Sequence, residues 1–451
     1  MLPGPRLSSA GARRPRRRGL ALTGALLAAG LAPSAGCEDA YEPPCRLTAT
    51  RALVAAPEIG VRPLVALARS RGRAFASWSQ REVVVADGGA SASVTLSAFE
   101  IAVVEEDGSL GLRARVPAPD ELRARSAGIA SVGVVVEDGA FLVHWIETTA
   151  TSEPDGRVRR DAALKAAYVR DGAASPAEAP ARASCRDCTM TAASAALGDA
   201  SILFARIDPA AAQGPSAPAF VALRFREGAA ALDASVPWLA LSPPAPRDGG
   251  LVGLGGAEPA SAEGGGDLSA YVDADGRVAI VAGGRAWLAD GGLRLLAGPI
   301  ELPSASDARV SWDARGGASA AWSVSPVADG RATAEVPREI FTGLVPPGAA
   351  QVARRERASR GRAALELDRR GDEVGVLFES AARAIFAAVD PAGRKRGGDV
   401  IVGASRTGTA HEYGTPVVSS AHALFARGGG RFDVVTLGSG ELGVSEIVCA
   451  P

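Results

Sequence analysis

The stretch "RAALELDRRGDEVGVLFESAARAIFAAVDPAGRKRGGDVIVGAS", residues 362–405, contains four strand-like runs: "RAALELD", "DEVGVLFES", "RAIFAAVD" and "GGDVIVGAS". Turns join the first run to the second and the third to the fourth, and a short loop joins the middle pair. The segment therefore reads as an up-and-down unit of four short strands.

The same pattern recurs along the chain. A turn residue, usually glycine, is followed by an apolar strand that ends six residues later in an aromatic or large apolar residue. It reads "GRAFASW" (72–78), "GAFLVHW" (139–145), "GDASILF" (198–204), "GRVAIVA" (276–282), "GGASAAW" (316–322), "GDEVGVL" (371–377) and "SSAHALF" (419–425). A tight turn follows each copy after a further strand: "EEDGSLG" (105–111), "VRDGAA" (169–174), "FREGAA" (225–230), "LADGGL" (288–293), "VPPGAA" (345–350), "VDPAGRK" (389–395) and "LGSGEL" (437–442). Asp-Gly and similar pairs between strand-like runs are hairpin signals, because glycine accepts positive φ without steric cost. Seven strand motifs thus interleave with seven turns.

Repeated four-stranded units resemble the blades of a β-propeller, here seven of them over residues 46–451. The expected fold is therefore all-β, a seven-bladed β-propeller with four-stranded blades behind a signal peptide. The resemblance is architectural, since neither a WD dipeptide nor a kelch double glycine appears. The other all-β arrangement is a pair of sandwich domains in tandem, divided at the Gly/Pro/Ala-rich run 242–267; that arrangement gives no reason for a sevenfold repeat. Composition agrees with many short strands: of 451 residues, 54 are Gly, 30 are Pro and 5% are aromatic.

The N-terminus reads as an address. Arg13–Arg18 is basic, Gly19–Ala32 apolar and Pro33–Gly36 small, the layout of a secretory signal peptide over residues 1–36. Cys37 directly after Ser34-Ala35-Gly36 resembles the lipobox of bacterial lipoproteins, with Ser34 where that family usually has an aliphatic residue. The resemblance implies an acylated Cys37, residues 37–45 as a tether, and anchoring in the cell envelope, at the outer membrane, on its periplasmic or surface side. An ordinary cleaved signal peptide fits the same small residues, and the paired arginines Arg13-Arg14 fit a twin-arginine signal badly. Five cysteines are odd for an exported chain. Removing Cys37 leaves Cys45, Cys185, Cys188 and Cys449 as an even set for an oxidising compartment. A Cys45–Cys449 disulfide would join the first and last blades, and Cys185–Cys188 would staple a loop.

Charge excludes one class of partner. Residues 1–36 hold six arginines and no acid, which leaves 43 basic against 50 acidic residues from Cys37 onward. A mildly acidic chain carries no electrostatic footprint for nucleic acid.

Function is expected on one face. Connections at 79–93, 147–161, 206–217 and 324–338, and between units at 176–190, 242–267 and 404–413, are long and emerge together, and loops on a rigid scaffold commonly carry binding. Candidate contacts there are Glu147, Arg157 and Arg159 in "ETTATSEPDGRVRRD", and His411, Glu412 and Tyr413 in "RTGTAHEYG". No catalytic residue, metal site or cofactor site is assigned. Of the three histidines, His144 and His422 read as strand residues. G-x-S-x-G, HExxH and a phosphate-cradling glycine loop are all missing. "VDADGRV" (272–278) has half of a calcium loop, and "SWDARGGASAAW" (311–322) resembles the Asp box of sialidase-type propellers at Ser311, Asp313 and Gly316; both read more simply as hairpin turns. The first strands offer few acidic, His or Tyr side chains apart from Tyr271, Asp313, Glu366 and Asp368. The reading that follows is a monomeric, lipid-anchored binding or scaffold module for a protein or glycan, ranked above a hydrolase or lyase working on a glycan or envelope polymer in the central funnel.

Overall fold

The computed structural model describes residues 45–450 apart from 56–64, 86–91, 119–128, 138–139, 171–172, 175–182, 198–199, 210–218, 226–231, 234–267, 303–304, 306, 325–337, 353, 362, 381–382, 391, 405–409, 413–414, 418–419 and 439–440. Cys37 and the whole leader lie outside the described residues. Pro43–Pro451 forms one compact unit, and its described residues are all-β with no helix.

The described residues begin with β1 (Cys45–Val54) and then fold as successive antiparallel meanders. The first comprises β2 (Val65–Ser70), β3 (Arg73–Val85), β4 (Ala92–Val104) and β5 (Leu110–Pro117). In the second, β6 (Ile129–Glu137), β7 (Ala140–Ser152) and β8 (Val158–Arg170) are followed by β9 (Ala173–Ala174) and β10 (Ala183–Cys185), which both pair with β8. The third holds β11 (Cys188–Ala196), β12 (Ser201–Pro209), β13 (Ala219–Phe225) and β14 (Leu232–Asp233), and the fourth β15 (Leu268–Val272), β16 (Val278–Ala282), β17 (Arg285–Ala289) and β18 (Leu295–Glu301). The fifth is β19 (Asp307–Trp312), β20 (Ala318–Val324), β21 (Arg338–Val345) and β22 (Arg354–Gly361); the sixth is β23 (Ala363–Arg370), β24 (Glu373–Ser380), β25 (Arg383–Val389) and β26 (Lys395–Ala404). After a short hairpin of β27 (Ala410–Glu412) and β28 (Thr415–Val417) come β29 (Ser420–Gly428), β30 (Arg431–Gly438) and β31 (Leu442–Cys449). β1 completes this last sheet by pairing antiparallel with β31, Cys45 opposite Cys449.

The repeated sequence motif is the second strand of the first six meanders, and its burial explains its composition. The seventh copy, ending in Phe425, instead falls in β29, the first strand of the last meander, because β1 supplies the far edge of that sheet. A strand covered on both faces has no solvent side on which to place polar residues, so β16, β20 and β24 read as almost unbroken apolar runs. The motif's closing residues Trp78, Trp145, Phe204, Trp322 and Leu377 are fully buried, and Phe425 nearly so. Each such aromatic removes about 150–250 Å² from water, the largest contribution of any side-chain type. By contrast β1 and β18, at sheet edges, are mostly exposed.

Core clusters lie between meanders that follow one another in the chain. Phe99 and Ile101 of the first pack with Val143 and Trp145 of the second. Leu142 and Ile146 meet Met190 and Leu203 of the third, and Phe204 meets Ile280 and Trp287 of the fourth. Leu288 packs with Trp322 of the fifth, Ile340 with Phe378 of the sixth, and Phe386 with Phe432 of the last. The last also packs on the first, through Phe425, Val435 and Val444 against Trp78 and Val104.

Two of the turns between first and second strands share one device. Asp273 Oδ1 accepts the backbone N–H groups of Asp275 and Arg277, and Asp313 Oδ1 those of Arg315 and Gly317. Gly276 and Gly316 supply the positive φ that the turn requires, 76° and 80°. "VDADGRV" and "SWDARGGASAAW" are thus hairpin turns whose Asp carboxylates close the turn.

Two expected loops are instead extended hairpins. β7 and β8 stay paired from Thr148↔Ala162 to Ser152↔Val158, and only Glu153–Arg157 turns. β3 and β4 pair out to Val85↔Ala92. The Thr-rich "TTATS" supports this, because β-branched side chains suit a pleated strand; in the sequence its flanking charges mask that signal. Residues 404–413 likewise include β27. The connections 210–218, 242–267 and 325–337 lie outside the described residues.

Candidate functional site

First strands β2, β6, β11, β15, β19 and β23 come from six different meanders, and residues of all six line one cavity of about 250 Å³. Consecutive first strands touch along most of this series, and β29 touches both β23 and β2. Much of the wall is small or aliphatic: Ala66, Ala68, Val134, Ala192, Ala193 and Ala270. Its polar part is made by Arg69, Tyr271, Arg309 and Glu366, with His144 and Ser194 elsewhere on the wall. At one point β2 and β15 meet directly, through the parallel pair Ser70–Val272 and a hydrogen bond from Arg71 N to Val272 O at 3.0 Å.

Arg69 is the centre of the polar group. Its Nη1 donates to Glu366 Oε2 at 3.0 Å and to Leu367 O at 3.1 Å, and its Nη2 to Asp368 Oδ1 at 2.8 Å. Glu366 and Asp368 sit two apart on β23, and the two-residue side-chain period of a strand sends both toward the same arginine. The guanidinium also lies 4.9 Å from the Tyr271 ring centroid and 5.3 Å from that of Phe425. Burial opposes the charge on Arg69, but Asp368 and Glu366 outweigh it, and its pKa is raised. Glu366 moves the other way from a usual ion-paired acid: burial raises its pKa, and Arg69 only partly offsets that.

The remaining contacts hold this group rigid. Asp368 Oδ1 also accepts from Ser311 Oγ at 3.3 Å, and its Oδ2 from Ala426 N at 2.8 Å. Arg309 donates Nε to Leu365 O and Nη1 to Ala308 O, each at 2.7 Å, which fixes its plane with Nε 3.9 Å from Glu366 Oε1. Tyr271 donates its hydroxyl to Val310 O at 2.7 Å, and burial raises its pKa.

On another part of the wall, Gly133 of β6 stands opposite His144 of β7 in the register. A Cβ at Gly133 would collide with the imidazole, so only glycine leaves the ring its place against the inner strand. His144 Nε2 lies 3.0 Å from Ser194 Oγ, while Nδ1 has no hydrogen-bond partner. Burial pushes the pKa of His144 down to about 4, so the ring is neutral near pH 7.

The residues expected on the loop-rich face take other places. Glu147 is not a loop residue: it is buried in β7, accepts from Trp145 Nε1 at 3.1 Å and pairs with Lys165 Nζ at 3.2 Å. Arg157 pairs with Asp187, and Arg159 with Asp161 and Glu153 at 3.1 and 3.3 Å. Asp161 Oδ1 accepts Asp187 N, so these charges bind the β7–β8 hairpin to the Cys185–Cys188 segment. His411 and Glu412 lie in β27, and Tyr413 is outside the described residues. Cys45 is joined to Cys449 and Cys185 to Cys188.

Of the ionisable groups noted on first strands, the structure brings Tyr271, Glu366 and Asp368 together. Asp313 stays in its turn, 3.3 Å from Arg369 Nη1. Arg69 and Arg309, which complete the group, were legible only as arginines within "PLVALARS" and "RVSWDAR". Chemically the arrangement is better suited to holding a molecule than to cleaving one. Both carboxylates are engaged by the same arginine, so neither stands free as nucleophile or base. His144 lacks an acid to orient its ring for Ser194. Among the described residues, no three His, Cys, Asp or Glu side chains are grouped so as to hold a metal ion.

No family model matches the chain, and no curated protein does. Among solved structures, similarity extends to a protein of unknown function from Dyadobacter fermentans, at 11% identity and TM-score 0.41 over 90% of this chain and 100% of that one. The sialidase of Trypanosoma rangeli in complex with the inhibitor DANA matches at 11% identity and TM-score 0.36 over 76% of this chain and 56% of its own. A GH93 α-L-arabinofuranosidase of Fusarium graminearum matches at 7% identity and TM-score 0.36 over 89% and 98%. At these scores none of their activities is carried over to this chain.

Proposed function

We propose that this chain is an exported, lipid-anchored protein of the bacterial cell envelope, built as a seven-bladed β-propeller, that binds a small ligand in its axial cavity. The ring is supported by core clusters that join each meander to the next and the last to the first, and by β1 completing the final sheet. In that arrangement the first strands are innermost and the cavity they line is axial. The anchor rests on Cys37 after Ser34-Ala35-Gly36.

The observation that carries the binding function is the convergence of Arg69, Tyr271, Arg309 and Glu366 from four separate meanders onto one cavity. A thermal-shift screen of a broad small-molecule library tests it, using wild type, Arg309→Ala and the remote control Arg157→Ala. Ligands that stabilise wild type and Arg157→Ala but not Arg309→Ala are the expected result. Ligands that stabilise all three alike place binding elsewhere.

A second reading is a hydrolase or lyase acting on a glycan or envelope polymer in the same cavity. One observation favours it: burial raises the pKa of Glu366, as a general acid requires. Release of new reducing ends or unsaturated sugars from cell-wall polysaccharide, abolished in Glu366→Gln, would establish it.

A further inference from the structure

We infer that the ligand of the axial cavity is a neutral, polyhydroxylated molecule of about monosaccharide size. This rests on the reading that the cavity is a binding site, and two independent features of its wall select the ligand class.

Charge comes first. Two arginines, Arg69 and Arg309, face two carboxyl groups, Glu366 and Asp368, and the contacts at 2.8 to 3.9 Å match them within the group. The side chains are largely removed from water, with relative exposures of 10% for Arg69, 19% for Glu366 and 17% for Asp368. An ionic ligand entering this set would bring a charge with no countercharge left for it, and burying an unmatched charge is costly. A neutral ligand incurs no such cost.

Hydrogen-bonding capacity comes second. Arg69 Nη1 and Nη2, both oxygens of Asp368, the Tyr271 proton, and Arg309 Nε and Nη1 are all engaged. What makes no hydrogen bond is Arg69 Nε and the Nη2 end of Arg309, which donate, and Glu366 Oε1, which accepts and lies 3.9 Å from Arg309 Nε, outside hydrogen-bonding range of it. Elsewhere on the same wall Ser194 and His144 are hydrogen-bonded to each other. A hydroxyl group both donates and accepts, so it satisfies a donor and an acceptor placed side by side. A carboxylate can only accept and an ammonium can only donate. The aliphatic remainder of the wall suits the C–H faces of such a ligand. The volume, about 250 Å³, is just below the range of about 300–1,000 Å³ for pockets that take drug-sized molecules.

Calorimetric titration with matched sugars separates the alternatives: D-glucose, D-glucosamine and D-glucuronate, with D-galactose and L-arabinose as further neutral probes. At least one neutral sugar is expected to bind at least ten-fold more tightly than the charged pair. Its binding should be lost in Arg309→Ala and also in Ala193→Leu, which fills the cavity from β11 without touching a charge. Tighter binding of glucosamine or glucuronate, lost in the same two variants, would overturn the neutral class and leave the axial site standing. Binding of a neutral sugar that survives both variants would place it outside the cavity and overturn the inference. No binding by any probe to wild type would overturn the inference for this class, while ligands from the library screen that depend on Arg309 would still uphold the cavity.

Discussion

Cys45 and Cys449 stand opposite each other in the register of β1 and β31 and are joined by a disulfide across 404 residues of chain. The interior of β1 is exposed, and the strand is held by backbone pairing, this covalent link, its buried end residues Cys45 and Val54, and side-chain hydrogen bonds such as that from Arg51 to Gly108 O. In the chain-entropy picture a closed loop of this size stabilises by up to roughly 6 kcal/mol. Reduction, or the Cys45→Ser variant, is expected to lower the unfolding free energy, read from urea titration, by several kcal/mol. Breaking Cys185–Cys188, only three positions apart, should cost much less. Peptide mapping that finds Cys45 paired with Cys185 or Cys188 would contradict the arrangement.

Arg69 ties strands that are far apart in sequence, and its removal should show it. Truncation in Arg69→Ala leaves Glu366 and Asp368 buried beside each other without their cation, and breaking one side of a buried pair costs about 3–5 kcal/mol. Arg69→Lys should recover only part of the loss, because an ammonium cannot hold both carboxylates in the fork geometry. Equilibrium urea unfolding of the two variants measures both effects.

Acid should destabilise the fold through its histidines. Burial holds His144 and His422 at about 4, against an ordinary value of 6.5. Each therefore contributes stability that is complete above about pH 6.5 and is lost as pH falls toward 4, on the order of 3 kcal/mol per histidine. Glu366 acts with the opposite sign: its raised pKa favours the folded state at low pH, and that contribution fades as pH rises through the shifted value. Unfolding free energies measured from pH 7 to pH 4 should fall less steeply in His144→Gln and His422→Gln than in wild type.

Gly133 is required by a neighbour's size. A methyl group there would run into the His144 ring, so Gly133→Ala is expected to cost about 1–3 kcal/mol and to disturb the Ser194 side of the cavity. Gly398→Ala is a control, because nothing lies near its would-be Cβ.

Anchoring has its own check. Cys37→Ser should move the protein from the membrane fraction to the soluble envelope fraction; unchanged membrane association would sink the lipid anchor.

What could be read in the sequence follows from burial. The second strands announce themselves because both faces are covered, and the Asp/Gly turns do so because their chemistry is local. Cys45 and Cys449 were legible as a closing pair from parity and position. The group around Arg69 was not: Arg69 meets Glu366 across 297 positions, so its members look like isolated charges until the first strands are brought together. The 147–161 hairpin was obscured for the opposite reason, since its charges pair locally and resemble a solvated loop.

The proposed function resides in the cavity lined by the first strands. Its most direct measurement is the affinity of the tightest-binding ligand for wild type and Arg309→Ala, by calorimetric titration under identical conditions. At least a ten-fold loss in Arg309→Ala is the expected result, with Arg157→Ala unchanged. Equal affinity for wild type and Arg309→Ala, or a loss confined to Arg157→Ala, would contradict it.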